Sequence, residues 1–313
     1  MQKLLLLLFC AVTVQAHAQQ EGQFSWFNYN QVAYNPAYAG AGGQGELTLL
    51  HRQQWMGFEG APTNTALSFS TPLAGDRVGL GIGVQRFSQG LLDQYRANMA
   101  YSYSVPLTPD VRLRLGIQGA IHYYRMDLSD PTLVTDQILD PSVPLGQMLD
   151  RYTGNVGAGL YLEVKETIFF GLSSPGFYPV QIGFNDDVLR TAEEAAHVYA
   201  YGGGRFELSD NVSFRPSLLI SYAANSPITS IVNTSFIFKE TFLGGMAGRF
   251  GHGGFESLNF MVGYQAAERI LIGAAYDLGV SELRDYHSGS AELLVRYGLG
   301  SSKENLENPR FFN

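Results

Sequence analysis

The segment from Val111 to Arg125, VRLRLGIQGAIHYYR, alternates in character. Val111, Leu113, Leu115, Ile117, Gly119, Ile121 and Tyr123 form one set; Arg112, Arg114, Gly116, Gln118, Ala120, His122 and Tyr124 form the other. A period of two places these sets on opposite faces of an extended strand, one apolar and one polar. A helix would bring the arginines into the apolar stripe. The pattern recurs in Glu46 to Trp55, Thr63 to Thr71, Arg77 to Phe87, Gln94 to Val105, Asn155 to Val164, Thr167 to Ser174 and Ala196 to Glu207. It continues in Val212 to Tyr222, Ile228 to Phe238, Thr241 to Phe250, Ser257 to Gln265, Arg269 to Asp277 and Gly289 to Leu299. The chain is therefore expected to be all-β, with about 14 strands, an even number as in closed bacterial barrels.

The connections sort by length. Pro72 to Asp76, Pro106 to Asp110, Glu163 to Glu166, Ser209 to Asn211, Lys239-Glu240 and Ala266 to Glu268 are tight links after even-numbered strands. The links after odd-numbered strands include two long breaks, Met126 to Thr153 and Ser174 to Ala195, the second with a short helix expected over Asp187 to Ala195. Short turns on one rim and long loops on the other predict a single transmembrane antiparallel β-barrel over 46–300, with short turns in the periplasm and long loops outside. A soluble sandwich has no reason to sort its loops in this way. Residues 19–45, before the first strand, form an aromatic, asparagine-rich lead-in with turn signals at Asn35-Pro36 and Ala39-Gly40. With an even strand count, the lead-in and a tail over 301–313 fall on the periplasmic side.

Composition agrees. Charged residues are 15%, against about 25% in soluble domains, while glycine is abundant, 36 of 313, and aromatics reach 13%. After the N-terminus no apolar run reaches the roughly 18 residues of a spanning helix. Residues 1–18 read as a signal peptide: Lys3, an apolar core from Leu4 to Val14, and Ala16-His17-Ala18 before the cleavage point. Its Cys10 is the chain's only cysteine, so an exported mature chain has no thiol chemistry and resides in the outer membrane among its lipids. A net charge of −8 argues against a nucleic-acid partner.

Candidate chemistry is sparse. Gly79, Gly81 and Gly83 lie within a strand with no helix behind them, so they fail as a nucleotide loop; facing inward, they make room for bulky lumen side chains. His122 with Ser102 on the adjacent strand can be imagined as a nucleophilic pair, and a polar lumen contact is the simpler reading. The histidines lack metal spacing. Asp127, Asp130, Asp136, Asp140 and Asp150 are read as a solvated acidic loop, a calcium site being the alternative. Arg96, Arg112, Arg114, His122, Arg215 and Arg296 are expected to line the lumen, either facing a pore or an anionic partner or pairing with Glu163, Glu207 and Glu292 to hold the barrel's shape. Neither a catalytic site, a metal nor a cofactor is expected.

Several blocks carry a resemblance. Phe24-Ser25, Asn35-Pro36-Ala37-Tyr38-Ala39-Gly40, Arg52-Gln53-Gln54-Trp55-Met56-Gly57-Phe58, Gly60-Ala61-Pro62 and the tail Asn308-Pro309-Arg310-Phe311-Phe312 resemble the PorP/SprF family; Trp26-Phe27-Asn28 departs from it. The resemblance implies a non-catalytic outer-membrane protein of the type IX secretion system, assisting secretion or attachment of surface proteins such as gliding adhesins through their C-terminal domains. Its implied partners are secretion components and secreted surface proteins. A passive porin or solute channel is the alternative. Asn35, Pro36, Tyr38, Gly40, Pro309, Arg310 and Phe311 are then expected at the periplasmic rim, packed together or docking a partner. Arg52, Gln53, Trp55 and Phe58 would run up the first strand into its outer loop, on the cargo side.

Overall fold

The computed structural model describes residues 23–129, 148–183, 190–224, 226–251, 253–280 and 285–299. The expected signal peptide, Asp130, Asp136 and Asp140 of the acidic loop, and the tail residues Pro309, Arg310 and Phe311 lie outside them. The strands are β1 Glu46–Gln53, β2 Thr63–Leu73, β3 Val78–Gln89, β4 Leu92–Thr108, β5 Val111–Asp127, β6 Met148–Val164, β7 Ile168–Ser174, β8 Val180–Gly183 and β9 Arg190–Glu194. They continue as β10 His197–Gly204, β11 Phe206–Ser209, β12 Val212–Ala223, β13 Thr229–Phe238, β14 Phe242–Gly251, β15 Gly254–Ala267, β16 Ile270–Gly279 and β17 Ser290–Gly298.

From β1 to β7 and from β12 to β17, successive strands pair antiparallel; β10 joins β7 to β12, and β1 pairs with β17. β11 continues β10 beyond Arg205 and also pairs with β12. Counted as one wall strand, they close the sheet into a 14-stranded antiparallel barrel. No described helix is long and apolar enough to cross a membrane. The wall is apolar outside and polar inside: on β5, Ile117 and Ile121 are each 62% exposed, whereas Arg114, Gln118 and His122 are buried. A water-soluble sheet has the reverse arrangement. Only a hydrocarbon surrounding makes the outward Ile, Leu and Phe favourable.

Two regions differ from the sequence expectation. β6 begins at Met148, not Asn155, and continues the pairing with β5 as far as Asp127. Of the short helix expected over Asp187 to Ala195, residues 187–189 lie outside the described residues, and Arg190–Glu194 is instead the strand β9, antiparallel to β8. A stretch this short gains little as an isolated helix, and cross-strand bonding satisfies its backbone.

Two tight links, Lys165-Glu166 and Lys239-Glu240, place both residues at positive φ, between 49° and 54°. This matches the twist of the flanking strands but favours Asn-Gly over the residues present. Replacing the exposed Lys165-Glu166 with Asn-Gly is expected to raise stability by about 1 kcal/mol, read as a higher urea midpoint for the detergent-refolded barrel.

Candidate functional site

The barrel's interior is occupied by its own lead-in. Residues Phe24 to Ala41 are buried almost without break: Trp26, Asn35, Ala37, Ala39 and Ala41 are each 0% exposed. The segment makes three short 3-10 turns, Phe27–Tyr29, Gln31–Ala33 and Pro36–Tyr38. The last follows from its sequence. Asn35 caps it, its side chain accepting from the Ala37 N–H (2.9 Å), and Pro36 takes the first position, where no donor is needed. Gly40 then turns the chain at φ 68°.

Inward-facing glycines form the channel that receives this segment. A Cβ at Gly79 would overlap the Ala39 carbonyl; at Gly116, the Ala37 backbone; at Gly159, the Asn35 amide; and at Gly273 it would lie 2.8 Å from the Trp26 ring. The glycines expected to make room for lumen side chains mostly make room for the lead-in. Polar contacts fix its position around the wall. Asn35 Nδ2 donates to the Leu160 carbonyl (2.8 Å), Ser102 Oγ to the Ala39 carbonyl (2.6 Å), Ser173 Oγ to the Tyr34 carbonyl (2.8 Å), and the Gly40 N–H to Ser70 Oγ (2.9 Å). Tyr34 and Tyr38 meet the wall tyrosines Tyr199 and Tyr161 edge-on, with centroids 5.3 and 5.5 Å apart.

Charge fixes the other end. Tyr29 lies between Arg215 (5.3 Å) and Arg296 (5.7 Å), and Arg215 also donates to its hydroxyl at 3.0 Å. Arg296 is ion-paired with Glu46. The Ser25 N–H and hydroxyl both donate to Glu292, which pairs with Arg52, and Arg52 reaches Asp277 at 2.7 Å. Gln23 Nε2 donates to Thr229 Oγ1 (3.0 Å), at the long-loop end of β13. The lead-in therefore enters at the long-loop end and descends through the lumen to the start of β1 at the short-turn end.

This corrects two expected placements. Asn35, Pro36, Tyr38 and Gly40 lie within the lumen against the wall, not exposed at a rim, because an uncharged aromatic segment gains more by filling a glycine-lined interior. Arg52 points inward and is 4% exposed, so it belongs to the buried ion cluster and not to an outer surface. Gln53 faces outward by alternation, Trp55 follows in the outer loop, and Phe58 is 52% exposed there. Arg96, Arg112, Arg114, His122, Arg215 and Arg296 all sit at inward positions. Arg96 and His122 are cross-strand partners lining a polar pocket of about 20 Å³ with Gln118, Asn155 and His197. Arg114 donates to the Asp76 carbonyl at 3.1 Å, and Arg112 lies opposite Glu163.

Ser102 and His122 are not joined. Ser102 is opposite Gly116, six positions from His122 and about 20 Å away along the strand. Among the described residues no cluster of His, Cys, Asp and Glu is arranged to hold a metal. The sequence reading missed Glu46, Arg249 and Asp277; all three are charged residues at inward positions, and strand parity alone would have found them.

Residues 16–297 match the family model described as type IX secretion system membrane protein PorP/SprF. No curated protein matches at the sequence level. Among solved structures, the toluene transporter TodX of Pseudomonas putida is similar at 10% identity, covering 90% of this chain and 98% of its own, with a TM-score of 0.55. The CymD monoaromatic hydrocarbon channel is similar at 10% identity, covering 86% and 91%, with a TM-score of 0.51. At this identity the likeness is one of fold.

Proposed function

The chain belongs to the PorP/SprF family of type IX secretion system membrane proteins, and on that premise we propose that it is a plugged, non-catalytic outer-membrane barrel that assists secretion or surface attachment of specific cargo proteins. In this reading the short turns face the periplasm and the long loops face the outside, where cargo C-terminal domains engage. The supporting observation is the filled lumen: a barrel packed with its own lead-in serves as a scaffold and not as a pore. The rival reading, a passive channel, requires an open path through the buried stretch from Phe24 to Ala41. At about 14 strands the barrel is also smaller than the 16 to 18 strands of water-filled porins.

Planar-bilayer recording separates the two. The intact protein is expected to insert without adding conductance steps. Regular open-channel steps from the intact protein would transfer the assignment to the solute channel.

A further inference from the structure

The inner face of the wall carries positive charge at the long-loop end of the lumen. At the long-loop ends of β4, β5 and β6, Asp93, Arg125, Asp127 and Asp150 fall on the outward set of positions. Among the described residues of these three ends, the inward charges are Arg96 and Arg151, and His122 lies inward between their strands. The lead-in is uncharged from Gln23 to Gly45. Arg96, His122 and Thr153 are successive cross-strand partners. A guanidinium, an imidazole and a hydroxyl therefore stand in one row, about 5 Å apart at their Cβ atoms. The row lies on the long-loop side of Gly116, against which the Ala37 backbone is seated.

Arg96 and His122 open onto the partly enclosed pocket of about 20 Å³. The wall itself builds the rest of it. Gln118 Nε2 donates to the Pro175 carbonyl at 2.7 Å. Asn155 holds both backbone groups of Tyr178, donating to its carbonyl at 2.8 Å and accepting from its N–H at 3.2 Å. These bonds fix the 175–178 segment against the wall as one side of the pocket. His197, stacked on Tyr199 at 5.9 Å, supplies another. The His122 ring is held by the Tyr124 hydroxyl, 3.1 Å from Nδ1. Among the described residues, none that lines the pocket is acidic. Thr153 Oγ1, opposite His122, is buried and has no hydrogen-bond partner among the described residues. Buried hydroxyls are as a rule hydrogen-bonded, so this one offers a donor to a ligand beside it.

We propose that this pocket binds a carboxylate carried on an extended peptide segment that approaches from the long-loop side. Size selects the ligand. One water needs roughly 10–15 Å³ of such space, so the pocket admits the paired oxygens of a carboxylate and excludes the bulk of a phosphate or sulfate. Charge and geometry agree, since a guanidinium grips a carboxylate through two parallel N–H···O bonds. Arg96 also makes a contact within the protein, but its guanidinium has several N–H donors, enough to hold both. The chain bearing the carboxylate stays at the mouth, because the lead-in fills the lumen. The proposal deepens the reading of the long loops as the cargo-facing side and rests on it.

The test is fluorine NMR line broadening of trifluoroacetyl-triglycine by the full barrel in detergent, with the C-terminally amidated peptide as the uncharged control. The free acid is expected to broaden and the amide to stay sharp. Acetate is expected to compete more weakly than unlabelled triglycine, and phosphate not at all. Arg96→Gln is expected to weaken binding of the acid about tenfold, the loss of a hydrogen-bonded charge, and Thr153→Val about threefold, the loss of one neutral hydrogen bond. Heat-modifiable gel mobility reports that each variant is folded. Equal broadening of acid and amide, competition by phosphate, acetate as effective as triglycine, or binding unchanged in the folded variants would overturn the proposal. Secretion of surface proteins by a strain lacking the gene tests the cargo reading separately, so a silent tracer alongside lost secretion removes only this pocket.

Discussion

A barrel carrying Gly79→Leu and Gly116→Leu is expected to conduct ions where the parent does not. Both substitutions place side-chain atoms where lead-in backbone now lies: the Ala39 carbonyl at one site and the junction of Pro36 and Ala37 at the other. At both sites the nearest atoms are lead-in backbone, which cannot swing aside as a flexible side chain could. The wall strands keep their hydrogen bonds and their outward apolar residues, so the barrel still closes and the displaced part is the lead-in. The Asn35 cap and the Ser102, Ser173 and Ser70 contacts would be lost together with its seat. Gly119→Ala is the control, since Gly119 faces outward with open space around it. The measurement is single-channel recording, supported by increased entry of large antibiotics into cells. Unchanged, silent behaviour in a correctly folded double variant would mean that the lead-in does not seal the lumen.

The second large effect lies at the ion cluster. Arg52→Ala leaves Glu292 and Asp277 buried near each other without the cation that bridges them. Removing one partner from such a buried group costs about 3–5 kcal/mol, which should appear as a marked fall in the urea midpoint. The effect is expected to extend to the lead-in, because Glu292 also holds the Ser25 N–H and hydroxyl. Hydrogen exchange over residues 23–27 should therefore accelerate more than exchange in the β5–β6 wall. Replacing Arg52, Arg249, Asp277 and Glu292 together with apolar residues should recover part of the lost stability without restoring the Ser25 anchor. Equal exchange in the two regions would separate the cluster from the lead-in.

The wall was legible because each spanning strand must satisfy two different solvents, and that demand imposes the period of two read from Val111 to Arg125. Loop sorting was legible for a similar reason: one rim is built from tight hairpins. The upper part of β6 was less visible, since Met148 to Thr153 alternates without a clean contrast between its faces. The lead-in has no period at all. Its turns could be read at Asn35-Pro36 and Ala39-Gly40, but nothing local in the segment states that it lies inside the barrel. That information is shared between two distant features, an aromatic segment without charge and a set of inward glycines, most of which leave space beyond what the lumen side chains fill. Arg52 illustrates the same limit. Parity with Glu46, Thr48 and Leu50 placed it inward, yet the Gln-Gln-Trp-Met-Gly-Phe run behind it suggested an outer surface. Only Gln53, Trp55 and Phe58 keep an outward or loop position.

The secretion role is tested most directly by affinity recovery of the tagged barrel from outer membranes solubilised in mild detergent, with companions identified by mass spectrometry. Cells in which the type IX machine is demonstrably assembled are the required source. The account predicts that a secretion component or one large surface protein co-purifies in fixed proportion with the barrel. A barrel recovered free of any specific companion from those membranes would contradict it.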